Sequence, residues 1–304
     1  GRILVAGIAR DLVNLPANDD FGVARLNADG TLDASFGSNG VAFADFDGRL
    51  DGADDILIQP DGSIILVGAA HSVTADADFA IARLTSAGVL DPTFGGDGTV
   101  TIDIAGRSDG AHAGALLPDG RTVVTGRAAE SGGSDPDIGI VRLLATGVPD
   151  STFDNEGIVW PQTGAFDWAV ELALDASGRV LVSGHSDSSA FVARYDANGA
   201  PDAGFGAGGL LLTPTLSKAN GIAVDAAGRI IIVGATSGDF GVIRLSDDGT
   251  LDTSFGTNGV LTVDFFADFD QASDVVIQPD GKILVVGKTE NGLDRRVGLV
   301  RVVP

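Results

Sequence analysis

The sequence predicts an all-β fold: a β-propeller of six blades, each of up to four antiparallel strands, with incomplete terminal blades. Three observations carry this. An apolar heptapeptide bounded by glycines recurs six times, and each copy is followed by a second apolar segment ending in a fixed arginine. No stretch of 11 or more residues sustains helical periodicity. The composition agrees, with 44 Gly and with only four Glu (Glu130, Glu156, Glu171 and Glu290) among 42 acidic residues. Asp is a turn and capping residue, whereas Glu favours helix interiors.

The first element, strand B, is GRILVAG at 1–7. It returns as GSIILVG (62–68), GRTVVTG (120–126), GRVLVSG (178–184), GRIIIVG (228–234) and GKILVVG (281–287). The leading glycines are spaced by 61, 58, 58, 50 and 53 residues, a repeat of about 56. Strand C follows as FGVARL (21–26), FAIARL (79–84), IGIVRL (138–143), FVARY (191–195), FGVIRL (240–245) and VGLVRV (297–302). Next comes a turn with an aromatic anchor, as in NADGTLDASFGSNG (27–40), TSAGVLDPTFGGDG (85–98) and SDDGTLDTSFGTNG (246–259). LATGVPDSTFDNEG (144–157) and DANGAPDAGFGAGG (196–209) are looser copies. The Asp of this motif is expected to cap a single turn, and Phe36, Phe94, Phe153, Phe205 and Phe255 to plug the core. A short strand D follows. Strand A precedes the next heptapeptide, as in DDILIQPDG (54–62) and SDVVIQPDG (273–281), where Pro-Asp-Gly makes the turn into B.

Counting elements gives six B, six C, five A and five D strands. Four-stranded units at this spacing read as blades, since solenoid coils are usually shorter. One propeller domain spanning residues 1–304 is expected. A chain that opens at Gly1 on strand B and ends on strand C is also expected to have been cut from a longer array, with its terminal edges available for self-association.

The composite QPDGKILVVG … DFGVIRLSDDGTLDTSFGTNGV resembles the delta-60 repeat family, a bacterial propeller-type repeat of large secreted and surface proteins. The resemblance covers essentially the whole chain. Its weaker points are Ala176-Ser177 and Ala226-Ala227, which replace Pro-Asp, and Asp154 and Glu156, which interrupt FGxxG. It implies an extracellular or cell-surface setting and a binding or structural role. It supplies no catalytic residues.

Charge narrows the function classes. The formal net charge is −23, with 19 Lys+Arg. That excludes phosphate-led nucleic-acid binding and docking on anionic membranes. No apolar run reaches membrane-span length. There is no cysteine, and His71, His112 and His185 are too scattered for a zinc cluster.

Several constellations offer chemistry. Arg25, Arg83, Arg142, Arg194, Arg244 and Arg301 recur at one place in strand C. They read either as a set of guanidinium groups for an anion or as buried forks donating to carboxylates and loop carbonyls. Eleven residues before the leading glycine, Asp51, Asp109, Asp167 and Asp270 recur, with Ser217 in the remaining repeat. These could hold calcium, pair with the arginines or cap the D–A turn. Denser acidic loops, Asp45, Asp47, Asp51, Asp54 and Asp55, then Asp264, Asp268, Asp270 and Asp274, could supply oxygens for Ca²⁺, although their spacing is not that of an EF-hand. Trp160, Trp168 and Tyr195 could stack sugars or pack in the core. His112 aligns with Asp54, Val170, Asn220 and Ser273 and reads as a hydrogen-bonded loop residue.

No catalytic set is expected, because an active site breaks symmetry among near-identical copies. The expected function is a non-catalytic extracellular module that binds protein or glycan. The alternatives are a spacer or fibre subunit, and a propeller glycoside hydrolase or lyase using two carboxylates.

Overall fold

The structure, a computed structural model, describes every residue except 12–17, 47–49, 72–75, 105, 107, 130–135, 162–166, 187–188, 214, 267 and 304. Among the described residues the regular elements are all strands. Contacts group the chain into two compact units, Gly1–Gly164 and Ala165–Pro304.

The first unit holds three sheets. β1 (Ile3–Asp11), β2 (Asn18–Leu26) and β3 (Val41–Ala44) form a three-stranded sheet. β4 (Asp51–Ile58), β5 (Ile64–His71), β6 (Ala77–Leu84) and β7 (Thr99–Ile102) form the second. β8 (Gly110–Leu116), β9 (Thr122–Ala128), β10 (Asp137–Leu143) and β11 (Ile158–Val159) form the third.

The second unit repeats the plan. β12 (Asp167–Leu174), β13 (Val180–Ser186), β14 (Ser189–Tyr195) and β15 (Leu210–Thr213) make the fourth sheet. β16 (Lys218–Val224), β17 (Ile230–Thr236), β18 (Asp239–Leu245) and β19 (Val260–Val263) make the fifth. β20 (Gln271–Ile277), β21 (Ile283–Asn291) and β22 (Asp294–Val302) make the last, which has three strands. Every neighbouring pair within these sheets is antiparallel. The first sheet is therefore B–C–D, the last is A–B–C, and the expected strand count holds.

Strand B reads as a continuous apolar run because both of its faces are covered. Ile64 and Leu66 pack towards the first sheet with Phe21, Phe36 and Leu84. Ile65 and Val67 pack the other way, with Phe79, Phe94, Val124 and Val141. The period-2 alternation of a strand thus feeds two cores at once. The second unit does the same: Ile232 joins Leu181, Phe205 and Leu245, while Ile231 and Val233 join Phe240, Phe255 and Val285.

The second glycine of each heptapeptide has a steric cause. All five A strands carry a bulge against B, skipping Asp54, His112, Val170, Asn220 and Ser273. The bulge brings an A-strand carbonyl against the glycine. A Cβ on Gly68, Gly126, Gly184 or Gly234 would lie 1.9 Å from the carbonyl oxygen of Gly52, Gly110, Trp168 or Lys218. Gly7, whose sheet has no A strand, would meet nothing within 4 Å.

Candidate functional site

The repeated arginine is a structural fork. Nε of Arg25, Arg83, Arg142, Arg194 and Arg244 donates to the Asp eight residues on (Asp33, Asp91, Asp150, Asp202, Asp252) at 2.8–2.9 Å. Where a Ser or Thr follows two residues later, Nη2 reaches its hydroxyl: Ser35, Thr93, Thr152 and Ser254. The guanidinium carbon lies 4.4–5.0 Å from the centroid of the anchoring phenylalanine. Its last donor crosses to the next sheet. Nη1 of Arg25 and Arg83 donates to the carbonyls of Ser86 and Ala145, each at 2.5 Å, and Arg194 does so to Asp247. Beside these bonds Gly37, Gly95 and Gly206 donate their N–H groups to Ala87, Thr146 and Asp248.

These acids are also turn caps. The Oδ1 atoms of Asp33, Asp91 and Asp252 accept from the N–H and hydroxyl of Ser35, Thr93 and Ser254. Those donors, with the arginine, hold all three carboxyls below the usual range. Asp150 is lowered further: burial favours its neutral form, but donors from Arg121 and Thr152 outweigh it.

In three repeats the Asp eleven residues before the heptapeptide closes the D–A turn. Asp51, Asp109 and Asp270 each accept two backbone N–H groups, from Phe46 and His71, Ile104 and Ala129, and Phe265 and Glu290. Asp51 is nevertheless pushed up, because its desolvation outweighs those two bonds.

Strand C supplies a further partner that a reading along the loops did not find. Asp20, Asp45 and Asp51 bring carboxylate oxygens within 4.8 Å of one another, as do Asp78, Asp103 and Asp109, and Asp239, Asp264 and Asp270. The added member always lies five residues before the repeated arginine. That spacing is visible in the sequence, as is the coordinated loss in the fourth repeat, where the three positions are Ser189, Pro214 and Ser217. Burial, then Asp103, Asp109 and Asp76, push Asp78 up to about 6. A carboxylate cluster of this kind offers hard oxygen ligands.

The other acidic residues of the two expected loops go elsewhere. Asp54 pairs with His112 at 3.0 Å, and Asp55 accepts from the N–H of Gly114 and of Ile56. Asp268 accepts from Gly292 and Asp274 from Val275. Asp47 lies outside the described residues. His112 is thus a hydrogen-bonded bulge residue, and the bulge residue Asn220 likewise reaches across, donating to the carbonyl of Ala272 at 2.7 Å.

The large polar aromatics have separate settings. Trp168 is half-buried and stacks on His185, with centroids 6.0 Å apart. Trp160, in the first unit, is half-buried, and its indole N–H is buried without an acceptor. Tyr195 is 4% exposed at the end of β14. Burial, reinforced by Lys218, pushes the His185 imidazole down.

No curated protein matches the chain. Among solved structures it is similar to virginiamycin B lyase from Staphylococcus aureus, at 11% identity and a TM-score of 0.53, covering 99% of this chain and 88% of that one. A protein of unknown function from Bacteroides caccae is similar at 13% identity and a TM-score of 0.52, covering 95% and 84%. A polysaccharide lyase, ulvan lyase, is similar at 11% and 0.52, covering 93% and 70%. At such identities the likeness is one of fold alone. The beta-propeller family described as Domain of unknown function (DUF5122) matches residues 1–36, 59–94, 117–153, 176–205, 228–255 and 278–302. With six sheets of three or four antiparallel strands and a family match over more than half its length, this chain is a six-bladed β-propeller and belongs to that family.

Proposed function

We propose that this chain is a non-catalytic binding or scaffolding module of a bacterial secreted or cell-surface protein, built from repeats of the delta-60 type as one domain. Its partners are proteins or glycans at the cell surface. One observation carries the reading. The residues that stay the same from blade to blade, the Arg–Asp–Phe fork and the bulge glycine, are consumed by packing and hydrogen bonds. The residues that vary, among them Asp54, His112, Val170, Asn220 and Ser273, stand outside the strand pairing. A constant frame with variable positions suits recognition by surface, as repeat proteins use it.

Calcium belongs to this proposal. The residues that would hold it are the three aspartate groups of the first, second and fifth blades, with Asp45, Asp51, Asp264 and Asp270 from the acidic loops and Asp20 and Asp239 added by strand C. Weak binding, at about 10⁻⁴–10⁻³ M as in extracellular modules, would also relieve repulsion among these acids.

A glycan array probed with and without millimolar calcium tests both parts, alongside melting curves in calcium and in sodium chloride of equal ionic strength. Array binding and a melting temperature raised by calcium beyond the sodium control are expected. Equal shifts in both salts, with no heat of calcium binding, would remove the cation. Turnover of an array glycan would replace the module with a hydrolase or lyase.

A further inference from the structure

We infer that the seam between the fourth and fifth blades carries a subsite for an anionic sugar, one bearing a carboxylate or sulfate, formed by Trp168, His185 and Lys218. The inference rests on the glycan reading above and names the class of glycan and its place. Strand pairing brings the three residues together. Trp168 on β12 is the register partner of His185 on β13. Their rings stack nearly parallel, 13° apart with centroids at 6.0 Å. β16, which carries Lys218, packs beside both strands. Trp168 and His185 are half-buried and Lys218 is exposed, so all three reach solvent.

Charge at this seam selects an anion. Of the three lysines in the chain, Lys282 and Lys288 are paired with Asp280 and Glu290. Lys218 makes no ion pair among the described residues. Its charge reinforces burial in pushing the His185 imidazole down, and Nδ1 of that ring is buried without a partner. Asp167 opposes this more weakly, and it is 5% exposed with a partner of its own. The seams that follow the first, second and fifth blades each gather three aspartates, which would repel an anion. In the fourth repeat those places hold Ser189, Pro214 and Ser217. The rings are equally particular to this repeat. Aligned with Trp168 are Gly52, Gly110, Lys218 and Gln271, and aligned with His185 are Ile8, Ala69, Arg127, Ala235 and Lys288. Carboxylates are thus lost and a ring and a free ammonium gained at one seam. The apolar face of a sugar can rest on the indole while its acid group pairs with Lys218 and a hydroxyl bonds to the imidazole. The chain's net charge of −23 disfavours anionic polymers elsewhere on its surface.

Trp160→Phe leaves Trp168 as the sole tryptophan, whose emission then reports on the subsite. Titration of this variant with oligogalacturonate and with a chondroitin sulfate oligosaccharide is expected to give a saturable change with at least one of them. A maltooligosaccharide of equal length and sodium sulfate are expected to give none. Lys218→Gln in the same background is expected to weaken binding about tenfold. Its melting temperature should stay unchanged, because Lys218 is exposed. Calorimetry on the unaltered chain and on Lys218→Gln alone repeats the comparison without the Trp160 substitution. Absence of saturation with both acidic sugars would overturn the inference, as would equal affinity for Lys218→Gln or an equal response to sodium sulfate. Neutral and acidic sugars bound alike would overturn it while leaving the glycan reading intact, as would glycan-array binding that Lys218→Gln does not weaken. Silence of the glycan array together with both titrations would overturn both readings.

Discussion

The second blade and the two terminal blades use the same residues in different surroundings. Arg83 has a side-chain exposure of 9% and four kinds of partner, while Arg301 is 52% exposed and holds two substitutes. Gly68 faces a carbonyl that forbids a side chain, and Gly7 faces open space. Repetition in sequence thus does not mean repetition of constraint. Strand A decides the demand on the glycine, and the D segment decides the demand on the arginine.

The sharpest way to break this comparison is at the glycines. Gly68→Ala drives a Cβ into backbone, and overpacking of this severity is expected to cost about 3 kcal/mol. Gly7→Ala is expected to change stability by no more than about 0.5 kcal/mol, and in the favourable direction, since alanine suits a strand better. Chemical denaturation of both variants measures the difference. Equal losses would mean that the glycines serve some purpose other than the approach of strand A.

Next in size are the arginines. Arg83→Leu leaves Asp91 without its fork and strips the Ala145 carbonyl of its donor. The expected loss is about 2–3 kcal/mol, towards the lower end for a broken buried pair because Asp91 keeps its bonds from Thr93. Arg301→Leu is expected to stay within about 0.5 kcal/mol, as exposed pairs do. A large loss at Arg301 would show that its edge is already engaged in solution.

The smallest effect sharpens the contrast between the two kinds of aspartate. Asp78, pushed up to about 6, binds its proton more tightly folded than unfolded. The stability this brings is complete below about pH 4 and is lost as the pH rises to about 6. Asp78→Asn is therefore expected to stabilise the protein by about 1 kcal/mol at pH 7.5, a figure discounted for solvent screening, and to have little effect near pH 3.5. Asp91 has the opposite sign: its lowered carboxyl contributes stability above its unfolded range that fades on acidification. Melting curves across that pH range measure both. Insensitivity of the Asp78→Asn difference to pH would mean the carboxyl is not destabilised as placed.

Much of this was legible in the residues. The heptapeptides, arginines and phenylalanines specified six B–C hairpins and the short first and last sheets, because each element has its own boundary glycine or turn. The caps were legible too, since an Asp two residues before Ser or Thr is a local feature. The three-aspartate groups were not, for Asp20 and Asp45 meet only after strands C and D have paired. The bulges escaped as well. One extra residue in a seven- or eight-residue apolar strand leaves no compositional mark, and its trace is the glycine on the facing strand.

That extra residue gives the molecule a kind of grammar. In each of five strands one position is skipped by the ladder, so its side chain is released from the sheet's alternation, and two of these places are used for contacts across repeats, His112 with Asp54 and Asn220 with the carbonyl of Ala272. Asp, His, Val, Asn and Ser occupy the five places without disturbing the same pairing around them. The same frame therefore accepts five different residues at one step of every A strand. A change at one slot leaves the ladder around it in register, but Asp54 and His112 are coupled, since replacing either breaks their pair.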